Sequence, residues 1–419
     1  CALNQVSSTH QHIGMPEMES PLEWYLIVIT IFVVTSVESH CVKSVFCEPC
    51  WKNPNGFFRL DCQLTNDQNS GLRIFYAPER VISIQCDEND PPWSMYHFEK
   101  NETLSYNVRL VHFLSCALPP TMPLSELIEI FVSSPITELA LFSSTESTRN
   151  LSRSDFTGME TLTRLALRSS QLTHISVDLL EDLTNLNFLE FYDNRIEKLH
   201  AGTLNLPELL YLDISYNYIE TLEPNVFDGL PKLIFLNLGY NLLTELSPSI
   251  FRNLISLHNI TLAGNNIKLL DSEIFSELKI LRIVNLDGNN FTELGIPQHL
   301  FRYNRALESV SLSHNKRSLH SLPRGWLMNR RNLLSVSITY SGLVLLPRDL
   351  ISGVRALQSI TLSYNKIRNI PGAFLEDCAK LEYLSLDHNE ITHLPIDFFQ
   401  STPLLISLDL SNNQLKEFD

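Results

Sequence analysis

Six cysteines lie between Cys41 and Cys116, and six aromatic residues recur in pairs further on: Phe188 and Tyr192, Tyr211 and Tyr216, Phe235 and Tyr240. These are the side chains whose types and spacing could do chemistry. Clustered cysteines in an exported chain form a disulfide framework. Zinc is the weaker reading, because CVKSVFCEPC has one C-x-x-C and no second pair at ribbon spacing. Exposed aromatics at regular spacing are what protein interfaces use as anchors. Catalysis has no counterpart to either set. There is no Gly-rich phosphate loop, nucleophile elbow or helix-spaced His-Glu-His set, and the 13 histidines are scattered. No enzymatic activity, cofactor or metal is expected.

The formal net charge is -16 over 419 residues. An acidic surface argues against binding nucleic acid phosphates. It suits a basic protein partner, or simply keeps an extracellular protein soluble.

A repeat positions the aromatics. In LLYLDISYNYIETL (Leu209 to Leu222) the apolar residues follow neither a helical nor a strictly alternating period. The pattern recurs with copies starting at Leu162, Leu186, Leu209, Leu233, Leu257, Leu281, Leu307, Leu333, Leu357, Leu381 and Leu405, and a worn one at Ile136. That period with L-x-x-L-x-L-x-x-N-x-L is the leucine-rich repeat. Each L-x-L is a short strand whose leucines point inward. Successive coils pair in parallel, and only stacking buries the leucines. The expected fold is an α/β solenoid: a leucine-rich-repeat horseshoe with a parallel concave sheet and a disulfide-rich N-terminal cap.

The asparagine of each copy turns the chain off the sheet and satisfies backbone groups there. Ser170 and Ser341 replace it in two copies, where looser or reshaped turns are expected. Phe227, Phe251, Phe275, Phe301, Phe374 and Phe399 should form a second buried row behind the leucines. Cys378 falls in the register of Leu230 and reads as a buried small hydrophobe, the alternative being a reactive or intermolecular thiol.

Three regions follow: 1–39 upstream residues and signal peptide, 40–135 cysteine-rich cap, and 136–419 about twelve repeats. The apolar run WYLIVITIFVVTSV (Trp24 to Val37) is short for a membrane span, and Val37-Glu38-Ser39 offers a cleavage site. No Lys or Arg precedes it, so an uncleaved anchor stays open. Met15 and Met18 are natural starts after Cys1, and Asp419 falls within an ordinary copy, so the chain reads as truncated.

On the concave face the outward aromatics define a candidate ligand-binding set with Arg164 at its N-terminal side: Phe188, Tyr192, Tyr211, Tyr216, Phe235 and Tyr240. Arg168 also lies on that side, and Asp193 and Asp213 lie within the set. The rival reading is cross-strand packing that stiffens the sheet, since the position before the fourth-place leucine is often aromatic in this chain anyway, as at Tyr383. Glycan acceptors occur at Asn101, Asn150, Asn259 and Asn290. A sugar on Asn259, one coil past Phe235, would bound the aromatic patch; an unmodified Asn259 would not.

The N-terminal segments CVKSVFCEPC, NGFFRLDC, VISIQC, VRLVHFLSCALP and LSELIEIFVSSPITELALF, followed by coils of about 24 residues, resemble the ectodomain of the insect Toll receptors over roughly 41 to 419. The resemblance implies the N-terminal part of a single-pass cell-surface receptor. Its ligand would be a Spätzle-like cystine-knot cytokine dimer, held by the cap and early coils. Receptor self-association would then drive immune or developmental signalling through a membrane span and cytoplasmic domain outside this chain. It also implies disulfides Cys41–Cys50, Cys47–Cys62 and Cys86–Cys116, although six cysteines allow fifteen connectivities. The alternative is a secreted or cell-surface leucine-rich-repeat adhesion or structural protein, and a soluble decoy is a further one.

Overall fold

The computed structural model describes residues 47–52, 58–63, 71–77, 80–86, 108–119, 122–132, 135–142, 151–315 and 319–416. The expected signal peptide, Cys41, and the acceptors Asn101 and Asn150 lie outside them.

Among the described residues a single sheet of 17 strands runs through the molecule. It opens with β1 (Cys47–Lys52), β2 (Phe58–Gln63), β3 (Gly71–Ala77) and β4 (Val81–Cys86), which pair in order as antiparallel neighbours. From β4 onward every pairing is parallel: β5 (Leu110–Leu114), β6 (Glu138–Phe142), β7 (Arg164–Arg168), β8 (Phe188–Glu190), β9 (Tyr211–Asp213), β10 (Phe235–Asn237), β11 (Asn259–Thr261), β12 (Ile283–Asn285), then five more three-residue strands ending at β17 (Ser407–Asp409). The parallel ladder thus starts inside the cysteine-rich region. A short helix, α1 (Leu124–Glu129), lies between β5 and β6 and buries Leu124, Leu127 and Ile128.

The cap strands earn their place by alternation. In β4 every second residue (Ile82, Ile84, Cys86) is buried, the period-2 pattern of a strand with one face on a core. Cys86 is bonded to Cys116 just beyond β5, which ties the first two parallel strands together. Cys62 is also disulfide-bonded. In the β1–β2 backbone register Cys47 faces Cys62; the Cys47 and Cys50 side chains, like Cys41, lie outside the described residues.

In the coils, the first, fourth, sixth and eleventh places are the core. Leu209, Leu212, Ile214 and Ile219 are each 0 % exposed. The asparagine then closes each coil on the one before. Asn217 donates through Nδ2 to the carbonyls of Phe191, Ile214 and Ser215, and its Oδ1 accepts from the Ile196 N–H. Asn241, Asn265, Asn365 and Asn389 repeat the arrangement. Because one side chain joins two coils, the ladder makes stacking directional as well as hydrophobic.

Where serine substitutes, the turn is reshaped but remains bonded. The Ser341 hydroxyl donates to Leu312 and Thr339 carbonyls, and its backbone carbonyl takes the Leu319 N–H that an asparagine oxygen would otherwise accept. Ser170 donates to the Arg168 carbonyl and stays buried.

The aromatic row behind the leucines differs from its expected membership. Phe227, Phe251, Phe275 and Phe301 stack with centroids 6.0–6.2 Å apart, and Trp326 continues the row at 5.4 Å. Phe374 is buried but sits in the adjoining row with Val226 and Ile250, and in the last coil Phe398 rather than Phe399 is the more deeply buried ring. Two bulky apolar residues in tandem at this turn let the rings exchange places without a cavity. Cys378 is 0 % exposed, a packed member of the core. Tight coil contact is enforced elsewhere by Gly229, where a Cβ would stand 2.4 Å from the Leu204 carbonyl oxygen.

Candidate binding surface of the concave sheet

The first strand position of each coil points away from the leucine core and faces its equivalent one coil along. Phe188, Tyr211 and Phe235 are Cα partners across β8, β9 and β10. Parallel in-register pairing places identical positions side by side about 4.8 Å apart, close to the thickness of stacked rings. Phe188 stacks on Tyr211 at 4.4 Å and Tyr211 on Phe235 at 4.5 Å, with interplanar angles of 8° and 1°. Arg164 closes the N-terminal end: its guanidinium lies 4.0 Å from the Phe188 centroid and pairs with Glu138 at 3.2 Å.

A second column runs along the turn that follows the strands. Tyr216 and Tyr240 each precede the ladder asparagine and adopt φ of 56° and 53°; their rings stack at 4.3 Å. Tyr192 reaches the column from one register position earlier, which leaves its ring tilted by 58° at 5.2 Å from Tyr216. The six aromatics are therefore two parallel columns separated by a polar strip.

That strip is Glu190, Asp213, Ser215 and Asn237. Asp213 accepts from the Ser215 N–H and hydroxyl through Oδ1, and from the Asn237 amide through Oδ2 at 2.9 Å. Burial, reinforced by Asp213, pushes the Tyr211 phenol far above its usual range, so it remains a neutral donor. Burial likewise raises the Glu190 carboxyl, opposed by Arg168, whose guanidinium is 2.7 Å away. On the cap side His112, on β5, packs edge-on to Phe142. Burial, and then the Arg168 charge, push its imidazole down to about 4.

The rings pack on one another, as cross-strand stiffening requires, and they are also accessible. Tyr216 is 43 % and Tyr240 52 % exposed. Sequence reasoning missed four neighbours that widen the surface: Leu210 and Ile234 on one margin, Tyr218 and Leu242 on the other, all exposed. The signal was present, since neighbouring coils carry Asn187, His258, Arg195 and Asn266 at those places. Past β10 the first strand position becomes Asn259 and Ile283, then serine at Ser309, Ser335, Ser359 and Ser407, with Tyr383 isolated between two serines, so the stacked strand column is confined to three coils. Asn259 and Asn290 are both half-buried at coil surfaces. Among the described residues no group of histidine, cysteine or acidic side chains could hold a metal ion, and no helix is long and apolar enough to cross a membrane.

Fold and surface together define a leucine-rich-repeat solenoid with an aromatic concave face. The leucine rich repeat family model matches residues 189–243, 235–291, 331–391 and 379–419. Among solved structures, the chain is similar to a chain of the Drosophila Toll–Spätzle complex: 27 % identity, TM-score 0.74, covering 88 % of this chain and 47 % of that one. The glycosylated form of that complex gives 26 % identity and TM-score 0.79, covering 92 % and 50 %. The chain thus spans about half the length of the Toll-complex chains it matches. The mouse RP105/MD-1 complex shares the fold alone, at 21 % identity and TM-score 0.62 over 78 % of this chain and 54 % of that one. No curated protein sequence matches. These likenesses are to leucine-rich-repeat chains, the Toll-complex chains among them, and no catalytic family is among them.

Proposed function

We propose that the chain is the ligand-binding, N-terminal part of a Toll-type signalling receptor, displayed on the extracellular side of the cell surface. Its ligand is a Spätzle-like cystine-knot dimer that engages the cap and the concave face of the coils from Arg164 to Tyr240. The observation that carries this is the pairing of a Toll-complex likeness over 88–92 % of the chain with aromatic columns confined to the early coils. Aromatic anchors flanked by satisfied polar groups supply the energy of such interfaces. Glycosylation of Asn259 would wall off the later coils, and disulfides Cys41–Cys50 and Cys47–Cys62 would complete the cap. Ligand-driven receptor association would pass the signal to parts of the receptor outside this chain.

The test is binding of secreted residues 40–419 to processed Spätzle-like dimers, beside a folded variant with Tyr211, Tyr216 and Phe235 changed to Ala. Wild-type binding that weakens at least tenfold in the variant supports the proposal. Equal binding by both moves the site to the cap or a lateral edge. Absence of binding by the wild type turns the reading to an adhesion role.

A further inference from the structure

Between His299 and Asn332 the sequence carries seven Lys or Arg and a single acid, Glu308, in a chain whose acids otherwise outnumber its bases. The repeat aligns part of that charge into a column. Lys279, Arg305, Arg331 and Arg355 each stand four residues ahead of the first residue of a strand: β12 (Ile283–Asn285), β13 (Ser309–Ser311), β14 (Ser335–Ser337) and β15 (Ser359–Thr361). Those strands pair in parallel and in register. The four cations therefore occupy one place in four successive coils, on the flank where the chain enters the sheet. At the usual strand spacing the row is about 15 Å long. All four residues are exposed. The same place holds Pro207, Pro231 and Ile255 in the coils before and Ala379 and Pro403 in the coils after, so the column has defined ends.

The column is not neutralised from within. Among the described residues none of the four cations is ion-paired with a carboxylate; Glu308 pairs with Arg282 and Asp349 with Arg324. Lys279 donates to the Ser276 carbonyl and lies 4.5 Å from the Tyr303 centroid. Two further cations stand beside the row. Arg302 lies 5.6 Å from the same ring, and Arg330 donates through Nη1 to the Phe301 carbonyl at 2.7 Å. Burial, and then the Arg305 charge, hold the Arg330 guanidinium below its usual range.

The solenoid also shows the self-compensated alternative. One place nearer the strand, Glu208 and Lys232 sit in successive coils and pair at 2.7 Å. Like charges side by side across a sheet are destabilising, so four cations in line cost folding free energy that an external polyanion would offset. Exposed side chains along a line meet a chain of anions better than a compact ion. Three of the four are arginines, whose planar fork bonds oxyanions in a bidentate manner. Single-stranded nucleic acid needs stacking platforms, whereas Tyr303, the aromatic beside the column, has Lys279 and Arg302 against its ring. The Cys86–Cys116 disulfide is the chemistry of an oxidising, extracellular compartment, where the common linear polyanions are sulfated polysaccharides.

We infer that the Lys279–Arg355 column is a docking surface for a sulfated polysaccharide, whose sulfates bond to Arg305, Arg331 and Arg355. The column lies in coils beyond the Phe188–Phe235 aromatics, and the inference needs no cytokine.

The experiment is fluorescence anisotropy of a labelled heparin octasaccharide titrated with secreted residues 40–419 at physiological salt. Competitors are the same octasaccharide after desulfation, an oligo-dT and a poly-glutamate peptide, the last two of matched charge. The test variant combines Arg305→Gln, Arg331→Gln and Arg355→Gln. A control variant combines Arg195→Gln, Lys268→Gln and Lys366→Gln, removing equal charge from the flank where the chain leaves the sheet. The expected result is saturable binding by the wild type, with desulfated sugar competing at least tenfold more weakly. The test variant should bind at least tenfold more weakly and melt no lower than the wild type, while the control variant binds within about twofold of it. Absence of saturable binding, or equal competition by the desulfated sugar, overturns the inference without relying on any variant. Equal weakening in both variants overturns the column as the site. Competition by oligo-dT or poly-glutamate as strong as by the unlabelled octasaccharide overturns the polysaccharide in favour of a nucleic acid or an acidic protein segment. Because no cytokine is present, failure here leaves the receptor assignment to its own test.

Discussion

The Tyr216 ring lies 4.3 Å from the Tyr240 ring, 13° from parallel, although both residues hold left-handed backbone. That conformation costs an L-residue roughly 1–2 kcal/mol, and a stacked aromatic pair returns roughly 0.5–1.5 kcal/mol. Two such residues cost about 2–4 kcal/mol together, so one stacked pair offsets only part of the strain. The asparagine that follows decides the balance, by bonding the turn to the coil before it.

That role makes Asn241 a stability determinant. Its amide reaches the Ile214, Leu238 and Gly239 carbonyls, and its oxygen takes the Ile219 N–H. Asn241→Ala leaves buried backbone groups unpaired, each costing roughly 1–3 kcal/mol. A total loss of about 2–4 kcal/mol is expected, read from the shift of the urea midpoint. Asn241→Ser, which reproduces the hydroxyl that Ser341 uses at the equivalent turn, should recover part of it.

Histidine 112 gives the folded chain a pH dependence. Its folded pKa is about 4, below the 6.5 of an unperturbed imidazole. A depressed folded value means the unfolded chain binds the proton first as pH falls. The contribution of His112 is therefore complete above pH 6.5 and is lost between about 6.5 and 4. At about 1.4 kcal/mol per unit the loss is bounded at about 3.5 kcal/mol. Denaturation midpoints across that window should fall more steeply in the wild type than in His112→Gln; parallel profiles would contradict the assignment.

Cysteine 378 should be silent. Burial, and then the neighbouring Asp377, push its thiol up to about 12, and it is 0 % exposed. A thiol so protonated and shielded is a poor nucleophile. An aromatic disulfide reagent should leave it unmodified in the native protein and label it once the chain is unfolded in guanidinium.

Much of this architecture was legible in the sequence because the leucine spacing is a direct image of one coil. Leu209, Leu212, Ile214 and Ile219 occupy the buried places that the pattern assigns. The strand column was legible too, since a period of about 24 residues puts Phe188, Tyr211 and Phe235 in register. The start of the parallel ladder was not, because β4 and β5 alternate with period 2 and lack the repeat consensus. The left-handed backbone just before the ladder residues was also hidden. Tyrosine is uncommon at positive φ, and only the completed ladder shows why Tyr216 and Tyr340 accept it. The deeper burial of Phe398 than of Phe399 reflects a packing choice that spacing does not encode.

The most direct test of the central claim is hydroxyl-radical footprinting of residues 40–419, free and saturated with a processed Spätzle-like dimer. Protection should concentrate on Phe188, Tyr211, Tyr216, Phe235 and Tyr240, while exposed residues away from the concave face such as Leu294 keep their free reactivity. Protection confined to residues outside the concave face, with Tyr216 and Tyr240 as reactive in the complex as alone, would contradict the account.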